Sequence, residues 1–545
     1  MNFNWTNPYP TVRTPVFARN LVATSQPLAA QAGLRMLQAG GNAADAAVAA
    51  AAVITMTEPC SNGLGADNFA IVWDPVRREL LGLNSSGIAP AAWSLDTFRR
   101  KYGDDLAKNR PVRGWDTVTT PGAVAGWSML HSRLGKLSFA DVLAPAIEYA
   151  ERGFAVSPVV HDKWARAVPL LKDGPGFAEH FLPKGRAPEI GEHFVLPGAA
   201  RTFKLLAQHG AEAYYRGEIA EGIERHARTT GGDLRASDLA AYWEFVQNHG
   251  WVGTVSTRFH GHELHEIPPN GQGIAALSCL GILRHTNLAE YAVDSADWQH
   301  VAIEAMKLAF ADTYAYVADP RAMTVSPADM LDDDYLAQRA RRIDMQRAQA
   351  FSAGSPPRGG TIYLTAADAG GMMVSLIQSN YMGFGSGVVV PGYGISLQNR
   401  GHGFSLNPAS ANVIAPGKRP FHTIIPGFLM KDGRPAMSFG VMGGNMQPQG
   451  HVQTLVRMLL AQQQPQAACD APRWKVMEGV DLEVEGTMPS AVVDELRRRG
   501  HHVTSGNDSY MDFGSGQFIW RLDDPAVDGY VAASDSRRDG LVAGC

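Results

Sequence analysis

Apolar and polar positions follow a helical pattern through most of the first two thirds of the chain and a strand-like pattern through the last third. SQPLAAQAGLRMLQ (25–38) reads as a helix: Ser25 can cap it, Pro27 suits a first turn, and Gly40-Gly41 stops it. Asn42 then caps a second helix, with Asp45 three residues on. That helix, AADAAVAAAAVITM (43–56), carries alanine on every face, which predicts close packing on all sides. Asp45 interrupts it, and it is too short for the roughly 20 residues of a membrane span. EPCSNGLGADNFAIVWD (58–74) reads as a glycine-rich turn entering an apolar strand. Further helices are predicted over FADVLAPAIEYAERGF (139–154) and DWQHVAIEAMKLAFADTYAYVAD (297–319).

The texture changes at FSAGSPPRGG (351–360), a polar, Pro/Gly-rich loop. After it come TIYLTAAD, the tight turn AGG and MMVSLIQSN, a strand-turn-strand pattern. Strands are also predicted at 422–430, 434–441, 480–486 and 515–522, and one helix at 447–463. The chain therefore divides into a helix-rich part, 1–360, and a strand-rich part, 361–545.

Composition narrows the function classes. Of 545 residues, 45% are hydrophobic and 19% charged, which is ordinary for a globular protein. The net charge is −5, so no basic excess exists to attract nucleic acid. Cys60, Cys279, Cys469 and Cys545 have no CxxC spacing and suggest neither a disulfide framework nor a zinc site. The polar opening residues carry no secretory h-region, so a cytoplasmic location without membrane attachment is expected.

Chemistry concentrates at Gly359-Gly360-Thr361. A threonine hydroxyl is a weak nucleophile, and a free α-amine on the same residue is one way to activate it. Breaking the Gly360–Thr361 bond by an N-to-O acyl shift would create that amine, and the glycines tolerate the necessary strain. Alone, a threonine opening a strand is more often just a strand residue. Gly443-Gly444, in FGVMGGNMQPQGH, could present amides as an oxyanion hole or could be a plain strand-to-helix turn. GLGADN precedes a strand and lacks the third glycine of a dinucleotide site. Ser386 and Ser515 do not fit G-x-S-x-G, HELH (262–265) lacks zincin spacing, and His501-His502 reads as a solvated pair.

Together these blocks resemble the gamma-glutamyltranspeptidase family of N-terminal nucleophile hydrolases. The resemblance rests on SQPLAAQAGLRMLQAGGNAADAAVAAAAVITMTEP, TPGAVAGW, IPPNGQGIAAL, the stretch from Thr361 through ISLQNRGHGFS, PGKRPFHTIIP, GVMGGNMQPQ and ASDSRRDG. It implies an α+β fold, a four-layer αββα sandwich, with self-cleavage between Gly360 and Thr361 into a large and a small subunit. It implies Thr361 as nucleophile, Gly443 and Gly444 as oxyanion donors, Asn380 as a retained site asparagine, and no metal or organic cofactor.

The departures bear on substrate. Ser86, in LNSSGIAP, stands where glutamyl-specific members carry an arginine. In QNRGHG, Arg400 and Gly403 replace a glutamine and an aspartate. His422-Thr423 replaces a serine pair, and Gln378 replaces a threonine two positions before Asn380. A buried ammonium without a carboxylate partner costs several kcal/mol. The pattern thus resembles the family's amidohydrolase and acylase branch. Arg400 could bind a substrate carboxylate bidentately or be a structural arginine. The expected partner is a small-molecule amide, alongside the chain's own two fragments, with a homo-oligomer of that pair left open. A gamma-glutamyl hydrolase or transferase is the alternative, and a non-catalytic scaffold a third reading.

Overall fold

The computed structural model describes residues 8–10, 13–103, 105–351, 360–506 and 513–545. The expected cleavage loop therefore lies largely outside the described residues, at 352–359. Two seven-stranded sheets form the frame. Their strands are β1 (Val16–Ala18), β2 (Leu21–Thr24), β3 (Asp67–Asp74), β4 (Glu79–Asn84), β5 (Trp251–Val252), β6 (Val255–Phe259), β7 (His262–Glu266), β8 (Gly360–Ala367), β9 (Met373–Tyr381), β10 (Gly427–Lys431), β11 (Arg434–Met442), β12 (Ser515–Arg521), β13 (Tyr530–Ser534) and β14 (Leu541–Gly544). One sheet runs β1-β13-β12-β11-β10-β7-β6, the other β14-β2-β8-β9-β3-β4-β5. β8, the strand that Thr361 enters, thus lies inside its sheet, antiparallel to β2 and β9.

Strand alternation builds three apolar layers. On β8, Ile362, Leu364 and Ala366 join the cluster beneath the helices α1 (Pro27–Gln38), α2 (Ala43–Thr57), α3 (Ala123–Leu134) and α4 (Phe139–Arg152). Tyr363 and Ala367 point the other way, into a cluster between the sheets with Ile377, Phe428, Met442 and Ile519. Outside the other sheet, α5 (Gly273–Leu283), α6 (Ala296–Tyr316), α7 (Met446–Leu459) and α8 (Ser490–Arg498) cover Leu429, Phe439 and Phe518. Gly440 permits the close sheet-to-sheet approach, because a Cβ there would sit 2.5 Å from the Tyr363 ring.

The second helix forms as its sequence predicts. Asn42 and Asp45 make a reciprocal capping box, and all 15 residues of α2 are buried. Three local expectations change. Gln26, not Ser25, caps α1, because the Ser25 hydroxyl donates to Glu58 at 2.6 Å. The strand expected from residue 422 begins only at Gly427; the segment before it spends its polar groups on the site. His501 is buried, and only His502 meets solvent. All four cysteines are free, and no described helix is long and apolar enough to cross a membrane.

Candidate active site

Thr361 is 2% exposed. Its side chain shares the inter-sheet face of β8 with Tyr363, and Ser379 occupies the matching face of β9. Their hydroxyl oxygens lie 3.1 Å apart. From the first turn of α7, Gln447 donates to the Thr361 hydroxyl at 3.4 Å, while its oxygen accepts from Ile425 N–H at 2.9 Å. The nucleophile candidate is thereby held from its own sheet and from the helix behind the opposite one.

Arg400 approaches from a short 3-10 turn, Arg400–Gly403. Its guanidinium donates to Thr423 Oγ1 at 2.9 Å and to Ser379 Oγ at 3.4 Å, and lies over the Tyr381 ring at 4.1 Å. The buried Nε has no hydrogen-bond partner. Burial lowers the group to about 10, opposed by Tyr381 and Asp67, so Arg400 is cationic at neutral pH. Ser379 is therefore a shared contact of the nucleophile candidate and this cation.

Asp67, the first residue of β3 and the ladder partner of Ser379, is the nearby carboxyl group. It accepts from His422 Nε2 at 2.9 Å and from Gly87 N–H at 3.0 Å. Burial raises Asp67 to about 7, against the pull of Arg400 and Arg419. Burial, with the same two arginines, pushes His422 well below its ordinary value. His422 is therefore a neutral donor at Nε2, and its Nδ1 accepts from Ile424 N–H at 3.3 Å.

The other expected residues separate into groups. Ser86 lies beside this cluster but bonds to Asn84 and Asn270, and Arg419 donates to its carbonyl. Gly444 is tied in by Gln272, whose Nε2 donates to the carbonyls of Thr423 (2.6 Å) and Gly444 (2.9 Å). Gly443 and Gly444 have φ of 120° and 63°, the left-handed region that glycine tolerates. Among the described residues neither of their amides has an acceptor.

Gln378 is not brought to Thr361. It faces α2 and α3, accepting from Trp127 Nε1 (3.0 Å) and donating to Ala51 O and Asn62 Oδ1. Asn380 shares that face; its carboxamide is buried, has no hydrogen-bond partner and packs near Gly63. The side-chain period of two in β9 brings Ser379 to Thr361 and carries Gln378 and Asn380 away. Sequence reasoning missed Ser379, Asp67, Gln447 and Arg419. Alternation along MVSLIQSNY was a usable signal for Ser379; Asp67 and Gln447 had no local signal.

The family model described as gamma-glutamyltranspeptidase matches residues 29–545. The glutathione hydrolase-like YwrD proenzyme of Bacillus subtilis strain 168 is 34% identical, over 98% of this chain and 99% of that one. The oxamate amidohydrolase proenzyme of Klebsiella pneumoniae is 35% identical, over 95% and 97%. Among solved structures, cephalosporin acylase from Bacillus halodurans superposes with a TM-score of 0.92 and 44% identity, covering 100% of this chain and 99% of that one.

Proposed function

The chain belongs to the gamma-glutamyltranspeptidase family, and from that premise we propose that it cleaves itself before Thr361 and then hydrolyses a small, carboxylate-bearing acyl amide. In the first reaction Thr361 Oγ1 attacks the Gly360 carbonyl, and the acyl group moves from nitrogen to oxygen. Water then cleaves that ester, leaving a carboxylate on Gly360 and a free amine on Thr361. In the second reaction the same hydroxyl attacks the substrate amide, and the new α-amine takes its proton. The amine product leaves, and water releases the acid. The Gly443 and Gly444 amides would hold the oxyanion. The layer order of helices, sheet, sheet and helices fits the αββα sandwich of N-terminal nucleophile hydrolases.

The observation that carries the substrate class is Arg400. It is a fully buried cation that shares Ser379 with Thr361 and keeps an unpaired Nε. An acyl carboxylate seated there would gain charge-assisted hydrogen bonds. Oxamate-like amides carry that group directly on the scissile carbonyl, and glutaryl-like amides carry it three methylenes away. The test is turnover of an oxamate-type and a glutaryl-type amide against a gamma-glutamyl anilide, with faster turnover of one of the first two expected. Asp67 supports one alternative. A gamma-glutamyl donor could direct its ammonium to that carboxylate, and preferred turnover of the anilide would favour this reading.

A further inference from the structure

In the helical layer shared with α5, α7 and α8, α6 presents His300, Glu304 and Lys307 along one face, where they meet His501. All four side chains are buried. Nitrogen and oxygen atoms of His300, Glu304 and His501 lie within 4.8 Å of one another, close enough to hold a cation. Their bonding argues for a different role, because each of those atoms already has a partner. Lys307 Nζ donates to Glu304 Oε1 (2.7 Å), Gln349 O (3.3 Å) and His501 Nδ1 (3.4 Å). His501 Nε2 then donates to His300 Nδ1 (2.9 Å), and His300 Nε2 to Asp344 O (2.9 Å). A single set of tautomers satisfies the whole series, and an ammonium already supplies the positive charge.

The network's outward bonds fall on one stretch of chain. Asp344 O and Gln349 O accept from it, Gln349 N–H donates to Glu304 Oε2 (3.2 Å), and Ala348 N–H donates to Arg499 O (2.7 Å). Phe351 is buried just beyond. β8 and Thr361 follow within ten residues. His501 and Arg499 belong to the part after Thr361, and the other members to the part before it.

We propose that this network is a stem clasp. It fixes the chain upstream of the Gly360–Thr361 bond, so that the Gly360 carbonyl is presented to the Thr361 hydroxyl, and it takes no part in substrate turnover. Its residues are positioning residues for self-cleavage, and the inference rests on the self-cleavage reading above. Fixing the chain upstream would narrow the orientations open to the Gly360–Thr361 bond, where the hydroxyl and carbonyl are already covalent neighbours.

The test follows freshly synthesised full-length chains on denaturing gels and measures kcat and KM on the matured material. Lys307→Met should slow self-cleavage at least tenfold, while kcat/KM of the matured fraction stays within about twofold of wild type. Glu304→Gln keeps the volume and one acceptor and should slow it less. It also serves if the methionine variant does not fold. Cleavage of both folded variants at wild-type speed overturns the clasp. So does an equal loss in cleavage rate and in kcat/KM, which marks a general structural defect. A wild-type chain that stays whole, or Thr361→Ala that still splits, removes the self-cleavage reading and the clasp with it.

Discussion

Asp67 and Arg400 are the charged groups of the candidate site at the scale of single residues, and the pH signature of Asp67 is opposite to that of Asp535. Asp67 faces His422, Arg400 and Arg419, with the phenols of Tyr215 and Tyr242 on neighbouring helices. Its folded pKa of about 7 lies above the unfolded value of about 3.9. The folded protein therefore keeps a proton that the unfolded chain has released, and stability from this residue falls as pH rises from about 4 to about 7. Asp67→Asn should abolish that slope, raising the melting temperature relative to wild type more at pH 8 than at pH 5; parallel curves would refute the assignment. Asp535 runs the other way. Arg473 and Arg537 hold it well below the carboxylate range, so its stabilisation is present at neutral pH and lost in acid. For Arg400→Met, the expected result is a rise in KM for an anionic amide, with kcat/KM lower by about ten- to a hundredfold, and little change for a neutral one. Equal losses on both would make Arg400 purely structural.

Among the elements, the clearest dependence is the approach of α3 to the segment after β4. A Cβ on Gly122 would lie 1.6 Å from Ser85 O and 2.7 Å from the Tyr242 hydroxyl, although its φ of −112° suits any residue. Gly122→Ala must displace residues 84–87, which hold Asp67 through Gly87 N–H. A loss of about 1–3 kcal/mol is expected, read from the denaturant midpoint. Much at this scale was legible in the sequence, because local signals carry it. The capping box at Asn42, the paired strands on either side of the AGG turn, and the glycine turn before α7 all depend on neighbours a few residues away. What was not legible depends on distant partners. Ser379 matters because it faces Thr361 across two strands. His501 is buried because α6, some 200 residues earlier, offers it His300 and Lys307. The stretch 422–426 looks like strand, yet it is held irregular by Asp67, Arg400 and Gln447.

At the scale of the whole molecule, both sheets mix strands from either side of residue 361. β8 lies between β2 and β9, β3 follows β9, and β10 pairs with β7. The two products of the proposed cleavage should therefore co-elute on gel filtration and part only in denaturant; separation in native buffer would contradict this interleaving. The same sheets close the ends of the chain on each other, with Val16 opposite Ala532 and Leu21 opposite Gly544. Contacts of such long sequence separation carry a large loop-closure cost and slow folding. β14 covers the edge of β2, which in turn flanks β8 and Thr361, and α7 with its Gln447 is also supplied from far downstream. The proposed self-cleavage would then report that β14 has been made and docked. Chains truncated before Leu541 should stay whole and inactive, so a cell making this protein would carry no half-built hydrolase.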